Sequence, residues 1–100
     1  MNENDLRVMV LLGLQSAMLG EIFPKLRYMT CAWKTSEVTI RAIVDGEVDE
    51  DDEESLERIH TELIAFLPDT FEVNKECLKL EPVQPIGEQF LMETVYKRRE

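Results

Sequence analysis

The sequence predicts an α+β fold in which two helices pack on one face of a four-stranded antiparallel sheet, in the order α-β-β-α-β-β. Apolar residues recur at helical spacing in two segments, and they alternate with polar residues in four others. A length of 100 residues, of which 44% are hydrophobic, suits a single domain over residues 1–100 with a core of its own.

The first helix is predicted over residues 4–21, with Asn4 or Asp5 as its N-cap. Its apolar residues keep helical spacing, but they occupy more than one face of the helix. Such a helix is either deeply buried or has a second contact surface. A strand over residues 8–14 is the alternative, because Gly13 weakens a helix by about 1 kcal/mol relative to Ala.

A β-hairpin is predicted next, with strands over residues 26–33 and 37–44 and a polar turn at residues 34–36. The second strand alternates clearly, so that one of its faces is apolar and points to the core. The residues of that inward face are Val38, Ile40, Ala42 and Val44.

A second helix is predicted to begin between Asp51 and Ser55 and to end at Pro68, which cannot continue a helix. Its buried stripe consists of Leu56, Ile59, Leu63, Phe66 and Leu67. Two more strands are predicted, over residues 71–81 and 89–97. The apolar positions change face within the first of these, which indicates a bulge or a change of register.

The formal net charge of −10 argues against binding to nucleic acid or to an anionic membrane surface. The apolar stretch at residues 8–14 is too short to span a bilayer. The first residues lack the positive region of a secretory signal. We therefore expect a cytoplasmic protein.

No catalytic or metal-binding motif is found, so we expect neither enzymatic activity nor a cofactor. His60 is the only histidine, and it flanks the buried stripe of the second helix, which favours a structural role. Cys31 and Cys77 lie in strand-like stretches, where buried free thiols are the expected state. A catalytic site built from His60 and one cysteine is the less favoured alternative.

A run of carboxylates between two patterned elements is the strongest functional signal. It supplies nine of the protein's 21 acidic groups, and no Lys or Arg lies between Arg41 and Arg58. Its members are Asp45, Glu47, Asp49, Glu50, Asp51, Asp52, Glu53, Glu54 and Glu57. The run does not fit a helix–loop–helix calcium loop, because Glu54 stands where that loop needs glycine.

Two interpretations of this acidic run are open. A solvated segment that supplies favourable charge to the start of the second helix is the simpler one, but that effect fades beyond the first turn. The other is a docking surface for a basic partner. Trp33, beside the hairpin turn, would then be the best-placed aromatic anchor, although ordinary packing against the sheet explains it equally well.

Several stretches together resemble the small acidic immunity proteins encoded with bacterial contact-dependent growth-inhibition toxins. The stretches are residues 26–33, 38–41, 44–47, 50–55, 62–68 and 96–99. The resemblance covers most of the chain from about Leu6 onward. It implies that the partner is the C-terminal domain of a cognate toxin, typically a basic nuclease, and that the protein blocks access of the substrate.

On this basis we expect the residues from Asp45 to Glu57 to make the dominant electrostatic contact with a toxin domain. Two alternatives remain, the first from another class of function and the second within the class of binding proteins. One is a homodimeric adaptor or structural protein that associates through the apolar first helix or a face of the sheet. The other is an acidic DNA mimic that inhibits a DNA-binding protein.

Overall fold

A computed structural model describes residues 2–80 and 93–98 of the chain. Within these ranges the predicted order of helices and strands is confirmed. The elements are α1 (Glu3–Met18), β1 (Leu26–Lys34), β2 (Glu37–Asp45), α2 (Glu50–Phe66), β3 (Glu72–Leu80) and β4 (Glu93–Lys97). The part of the last strand that was predicted before residue 93 lies outside the described residues.

Both helices begin at a side-chain cap. The N-cap of α1 is Asn2, whose side-chain oxygen accepts a hydrogen bond of 2.8 Å from the backbone N–H of Asp5. The predicted cap, Asn4 or Asp5, was therefore wrong by two or three residues. Residues 8–14 lie within α1, which excludes the strand alternative for this segment. α2 begins after Asp49, slightly earlier than predicted.

The sheet has the order β3-β2-β1-β4 and is mixed. β1 pairs antiparallel with β2 and β4, as the prediction requires. β3, however, runs parallel to β2, so the prediction of a wholly antiparallel sheet was wrong. The reason is the length of α2, which spans about 25 Å and returns the chain along β2, itself about 30 Å long. β3 therefore starts at the same end of the sheet as β2.

The register between β2 and β3 is continuous, from Glu37 opposite Glu72 to Asp45 opposite Leu80. The bulge predicted in this strand is therefore not found. A register shift lies instead in β1, between Leu26 and Tyr28, where β1 pairs with β2. The changing apolar pattern of β3 reflects its place at the edge of the sheet, where neither face is fully covered.

The hydrophobic core lies between the two helices and one face of the sheet, as predicted. The inward residues of β2 (Val38, Ile40, Ala42 and Val44) are all buried and belong to this core. Phe66 was predicted to be buried, but it is half-exposed. Its ring covers Gly13 on α1, where a Cβ atom would lie only 2.5 Å from the ring atom Cδ1. Gly13 thus allows the two helices to approach closely.

Candidate functional site

The first two carboxylates of the acidic run hold the end of β2 to neighbouring segments. Asp45 accepts a hydrogen bond of 2.6 Å from the guanidinium of Arg98, and the guanidinium of Arg27 lies 3.4 Å away. Glu47 forms an ion pair of 3.0 Å with Lys79 on β3. These carboxylates are therefore structural in part, since each one joins segments that are distant in sequence.

Two further members of the run cap α2. The Asp49 side chain accepts a hydrogen bond of 2.9 Å from the backbone N–H of Asp52. Asp52 in turn accepts one of 3.4 Å from the backbone N–H of Asp49, which completes a capping box. Asp52 is buried, so its charge is used within the fold and offers little to a partner.

Four carboxylates of the run face solvent on the first turns of α2: Glu50, Asp51, Glu53 and Glu54. Glu54 lies 3.7 Å from Arg58, the helical ion pair that the sequence predicts. The other three form no ion pair with any residue in the described ranges. Their charges are favourable at the positive end of the helix dipole. The charge of Asp51 helps to raise the pKa of Arg58, and that of Glu53 helps to raise the pKa of Lys79, but neither reaches ion-pair distance of a basic group in the described ranges. These four residues are named the acidic face of α2.

A groove of about 510 Å³ runs beside the acidic face, between α2 and β3. Its floor is apolar and consists of Met29, Ile40, Ala42, Val48 and Leu56. One wall is formed by Glu50, Glu53, Glu54 and Glu57 of α2, and the other by Lys75, Glu76, Cys77 and Lys79 of β3. The Glu76 carboxylate pairs with Arg41 on the other face of the sheet, so four carboxylates of α2 against two lysines of β3 make this α2–β3 groove acidic.

One pair of side chains and one side-chain–backbone hydrogen bond connect α2 with β3. Glu57 pairs with Lys75, and this hydrogen bond lowers the pKa of the Glu57 carboxyl group below its ordinary value. The ring nitrogen Nε2 of His60 lies 2.9 Å from the backbone carbonyl of Val73, to which it donates. His60 therefore has the structural role that its position in the sequence favours.

Trp33 does not lie with the acidic run. It pairs with Val38 near the hairpin turn, whereas the run starts at the opposite end of β2, about 20 Å away. Its side chain belongs to the core and is only 8% exposed. This is the packing alternative that the sequence left open, and a contact between Trp33 and a partner stays a prediction.

Neither cysteine is in the ionised form that nucleophilic catalysis requires. Burial raises the pKa of the Cys31 thiol to about 12. Cys77 is exposed, so the expectation of a buried thiol at this position was wrong, although partial desolvation raises the pKa of its thiol as well. His60 is engaged by a backbone carbonyl. Within residues 2–80 and 93–98, no three His, Cys, Asp or Glu side chains are grouped so that they could hold a metal ion.

The basic wall of the groove was missed by the sequence analysis. Lys75, Cys77 and Lys79 alternate along β3, which indicates that they share one face of a strand. The face that they share could be assigned only once the register with β2 was known. It is the face that points to α2, because these residues lie opposite core residues of β2.

Comparison with known proteins supports the coarser part of the resemblance, an immunity protein of a toxin–immunity pair. The chain matches the model of the MafI2 immunity protein family over residues 7–100. Among curated proteins, no match was found. None of the helices in the described part of the chain is long and apolar enough to cross a membrane. The match extends over nearly the whole chain, and the protein therefore belongs to the MafI2 immunity protein family.

Proposed function

We propose that this protein binds and neutralises a cognate toxin domain through the acidic face of α2. The family supplies the class of function, an immunity protein of a toxin–immunity pair. The observation that carries the proposal is that Glu50, Asp51 and Glu53 are exposed and have no ion-pair partner within the described residues. Their mutual repulsion is relieved by a basic partner better than by solvent.

A basic nuclease domain is the toxin that fits this surface best. The substrate of a nuclease is a polyanion, so its substrate-binding surface carries Lys and Arg. Carboxylates on α2 would occupy the positions that phosphates otherwise take, and the bound immunity protein would exclude the substrate. Charges of this kind also raise association rates above the unsteered value of roughly 10⁵–10⁶ M⁻¹s⁻¹. The protein would act in the cytoplasm, where such a toxin meets nucleic acid. The proposal includes that the toxin and this protein belong to a contact-dependent growth-inhibition system.

The first experiment is growth rescue. The C-terminal segment of the gene immediately upstream is expressed in bacteria with and without this protein. Growth arrest that this protein relieves supports the proposal and supplies the partner for binding measurements. Arrest that it fails to relieve, or no arrest, contradicts the pairing and favours the acidic DNA mimic.

The second experiment separates the acidic face from the rest of the negative charge. The variant E50Q/D51N/E53Q/E54Q removes four exposed charges and leaves the capping pair of Asp49 and Asp52 in place. We expect it to associate more slowly with the toxin domain and to show a weaker dependence of the association rate on salt. The control E3Q/E62Q/D69N/E72Q removes the same number of exposed charges elsewhere. Equal association rates for the two variants would remove the acidic face from the interface.

One observation favours the homodimer alternative. Val8 and Leu12 are exposed on α1, and Leu19, the C-cap of this helix, is 79% exposed. This confirms that α1 is apolar on more than one face, and exposed apolar patches often mark contact surfaces. The mass of the protein in solution tests this alternative, since a monomer over the working concentration range would exclude it.

A further inference from the structure

In the part of the chain that the structure describes, one edge of the sheet is open along β3. β3 is the outermost strand on its side of the sheet and pairs only with β2 among the described elements. The backbone N–H of Glu72 donates to Ser36, and the carbonyl of Leu80 accepts from Gly46, so both groups point toward β2. Successive residues of a strand direct these groups to alternate sides. The N–H and C=O groups of Val73, and of every second residue after it, therefore point away from the sheet.

The residues whose backbone N–H and C=O groups point away from the sheet are Val73, Lys75, Cys77 and Lys79. The His60 ring donates a hydrogen bond to the carbonyl of Val73, so the first outward carbonyl of the edge already has a partner. The backbone groups at positions 75, 77 and 79 have no partner in the part of the chain that the structure describes. An unpaired row of this kind is a template for one more strand.

The open edge borders the α2–β3 groove. The side chains of Lys75, Cys77 and Lys79 line the groove, because these residues lie opposite core residues of β2. A strand added to the edge would direct every second side chain to the same side of the sheet. Those side chains would point toward Glu50 and Glu53, which have no ion-pair partner among the described residues. The site thus combines a backbone template with negative charge.

A second copy of this chain fits the edge poorly in the registers centred on the middle of β3. Two β3 strands related by a two-fold axis pair antiparallel, and each register is centred on one residue. Centring on Lys75 or Glu76 places that residue opposite its own copy. Centring on Cys77 places Lys75 opposite Lys79. Each of the three central registers brings like charges together, which is destabilising in a sheet.

We propose that an extended segment of the cognate toxin adds to the edge of β3 that no described strand covers, as a fifth strand, and directs alternate Lys or Arg side chains into the α2–β3 groove. This inference rests on the proposed function and specifies how the toxin contacts this protein. The aliphatic stems of such side chains would cover the apolar floor, and their cationic ends would reach the carboxylates of α2. The backbone hydrogen bonds would supply affinity, and the charged groove would supply specificity for a basic segment.

Amide hydrogen exchange of the wild-type protein tests this directly. The toxin domain encoded by the upstream gene is added to saturation, and exchange is followed residue by residue. We expect the amides of Lys75, Cys77 and Lys79 to slow by about tenfold or more on binding. Those of Glu76 and Leu78, already bonded to β2, serve as the internal control and should change less. Unchanged exchange at the three outward amides in a saturated complex would overturn the inference.

A pair of variants at one position separates the backbone from the side chain. C77V removes the thiol and keeps the N–H, whereas C77P also removes the N–H from the open edge. Because this N–H does not bond to β2, the proline costs the folded protein no ladder bond. We expect C77V to bind like the wild type and C77P to bind about tenfold more weakly. Equal affinity of two folded variants would count against strand addition.

Failure of this inference differs from failure of the proposed function. If the wild-type protein relieves toxicity but its outward amides are not protected, the toxin is bound elsewhere and only the strand addition is wrong. If the wild-type protein neither binds the toxin domain nor relieves its toxicity, the proposed function is wrong and the inference falls with it. If C77P does not fold, the exchange measurement on the wild type still decides.

Discussion

The carboxylate of Glu57 on α2 pairs with the ammonium group of Lys75 on β3, across one end of the α2–β3 groove. Glu57 was predicted to belong to a docking surface, yet within the fold it already has a basic partner. The hydrogen bond from Lys75 holds the pKa of Glu57 below its ordinary value. The pair therefore stabilises the folded state to an extent that depends on pH.

Replacing Glu57 by Gln is expected to give a pH-dependent loss of stability. A carboxyl group whose pKa is lowered on folding contributes stability above its unfolded pKa, about 4.3 for Glu. That contribution disappears as the pH falls through the folded pKa. Urea unfolding of wild type and E57Q should therefore differ at pH 7 and converge as the solution becomes more acidic than about pH 4.

The matched control for this prediction is E62Q, on the same helix. Glu62 is exposed and forms no ion pair with a described residue. Wild type and E62Q should therefore show no difference in the free energy of unfolding that disappears at acidic pH. A difference between wild type and E57Q that stayed constant from pH 7 to pH 3 would contradict the linkage.

The acidic run supplies both negative charge and a helix cap. These two roles can be separated at Asp49, the N-cap of α2. Replacing it by Ala removes the cap and should lower the free energy of unfolding by about 1 kcal/mol. Replacing it by Asn removes the same charge but keeps an oxygen that can accept from the backbone N–H of Asp52. Thermal or urea unfolding of D49A and D49N compares the two. If both variants lost the same stability, charge would be the cause and the capping role would be wrong.

Local features of the fold could be predicted from the sequence, because their causes lie within a few residues. The inward face of β2 follows from the alternation of Val38, Ile40, Ala42 and Val44. α2 follows from its helical spacing and from the carboxylates at its start. The pairing of Glu54 with Arg58 follows from their separation by one helical turn.

The pairing of β3 could not be predicted in the same way. Alternation along residues 72–80 is the same whether the strand runs parallel or antiparallel to its neighbour. The direction is decided by how α2 returns the chain along the sheet, which is a property of the whole β2–α2–β3 segment. The groove depends on that register, and this is why Lys75 and Lys79 could not be assigned to its wall.

The half-exposed position of Phe66 has a related cause. Helical spacing placed it within the buried stripe, but α1 approaches α2 at Gly13 and leaves the ring lying over the glycine. The sequence contained a signal, since a glycine within a helix often has a packing reason. That signal did not name the residue that the glycine contacts.

Substitution of Gly13 by Val is expected to destabilise the protein by about 2 kcal/mol. A Cβ atom at this position would lie 2.5 Å from Cδ1 of Phe66 and 3.1 Å from Cδ1 of Leu63. Phe66 is half-exposed and can move, but Leu63 is fully buried. The gain in helix propensity, below about 1 kcal/mol, does not offset this crowding. Urea unfolding of G13V measures the effect.

The control for the packing prediction is S16V, at an exposed position one turn further along α1. It adds a branched side chain to the same helix at a position exposed to solvent, so its effect on the free energy of unfolding should stay within about 0.5 kcal/mol. Equal stability of G13V and S16V would contradict the close approach of the two helices.

The two thiols should react with iodoacetamide at very different rates. Cys77 is exposed and Cys31 is buried, and the pKa of Cys31 is raised to about 12. Only about one molecule in 10⁴ therefore carries a Cys31 thiolate at pH 8, which is the form that reacts. We expect Cys77 to be alkylated in the native protein and Cys31 only after unfolding, as followed by mass spectrometry of peptides. The C77V variant is the control and should take up no label while folded. Faster labelling of Cys31 than of Cys77 in the native protein would contradict the burial of Cys31 in the core.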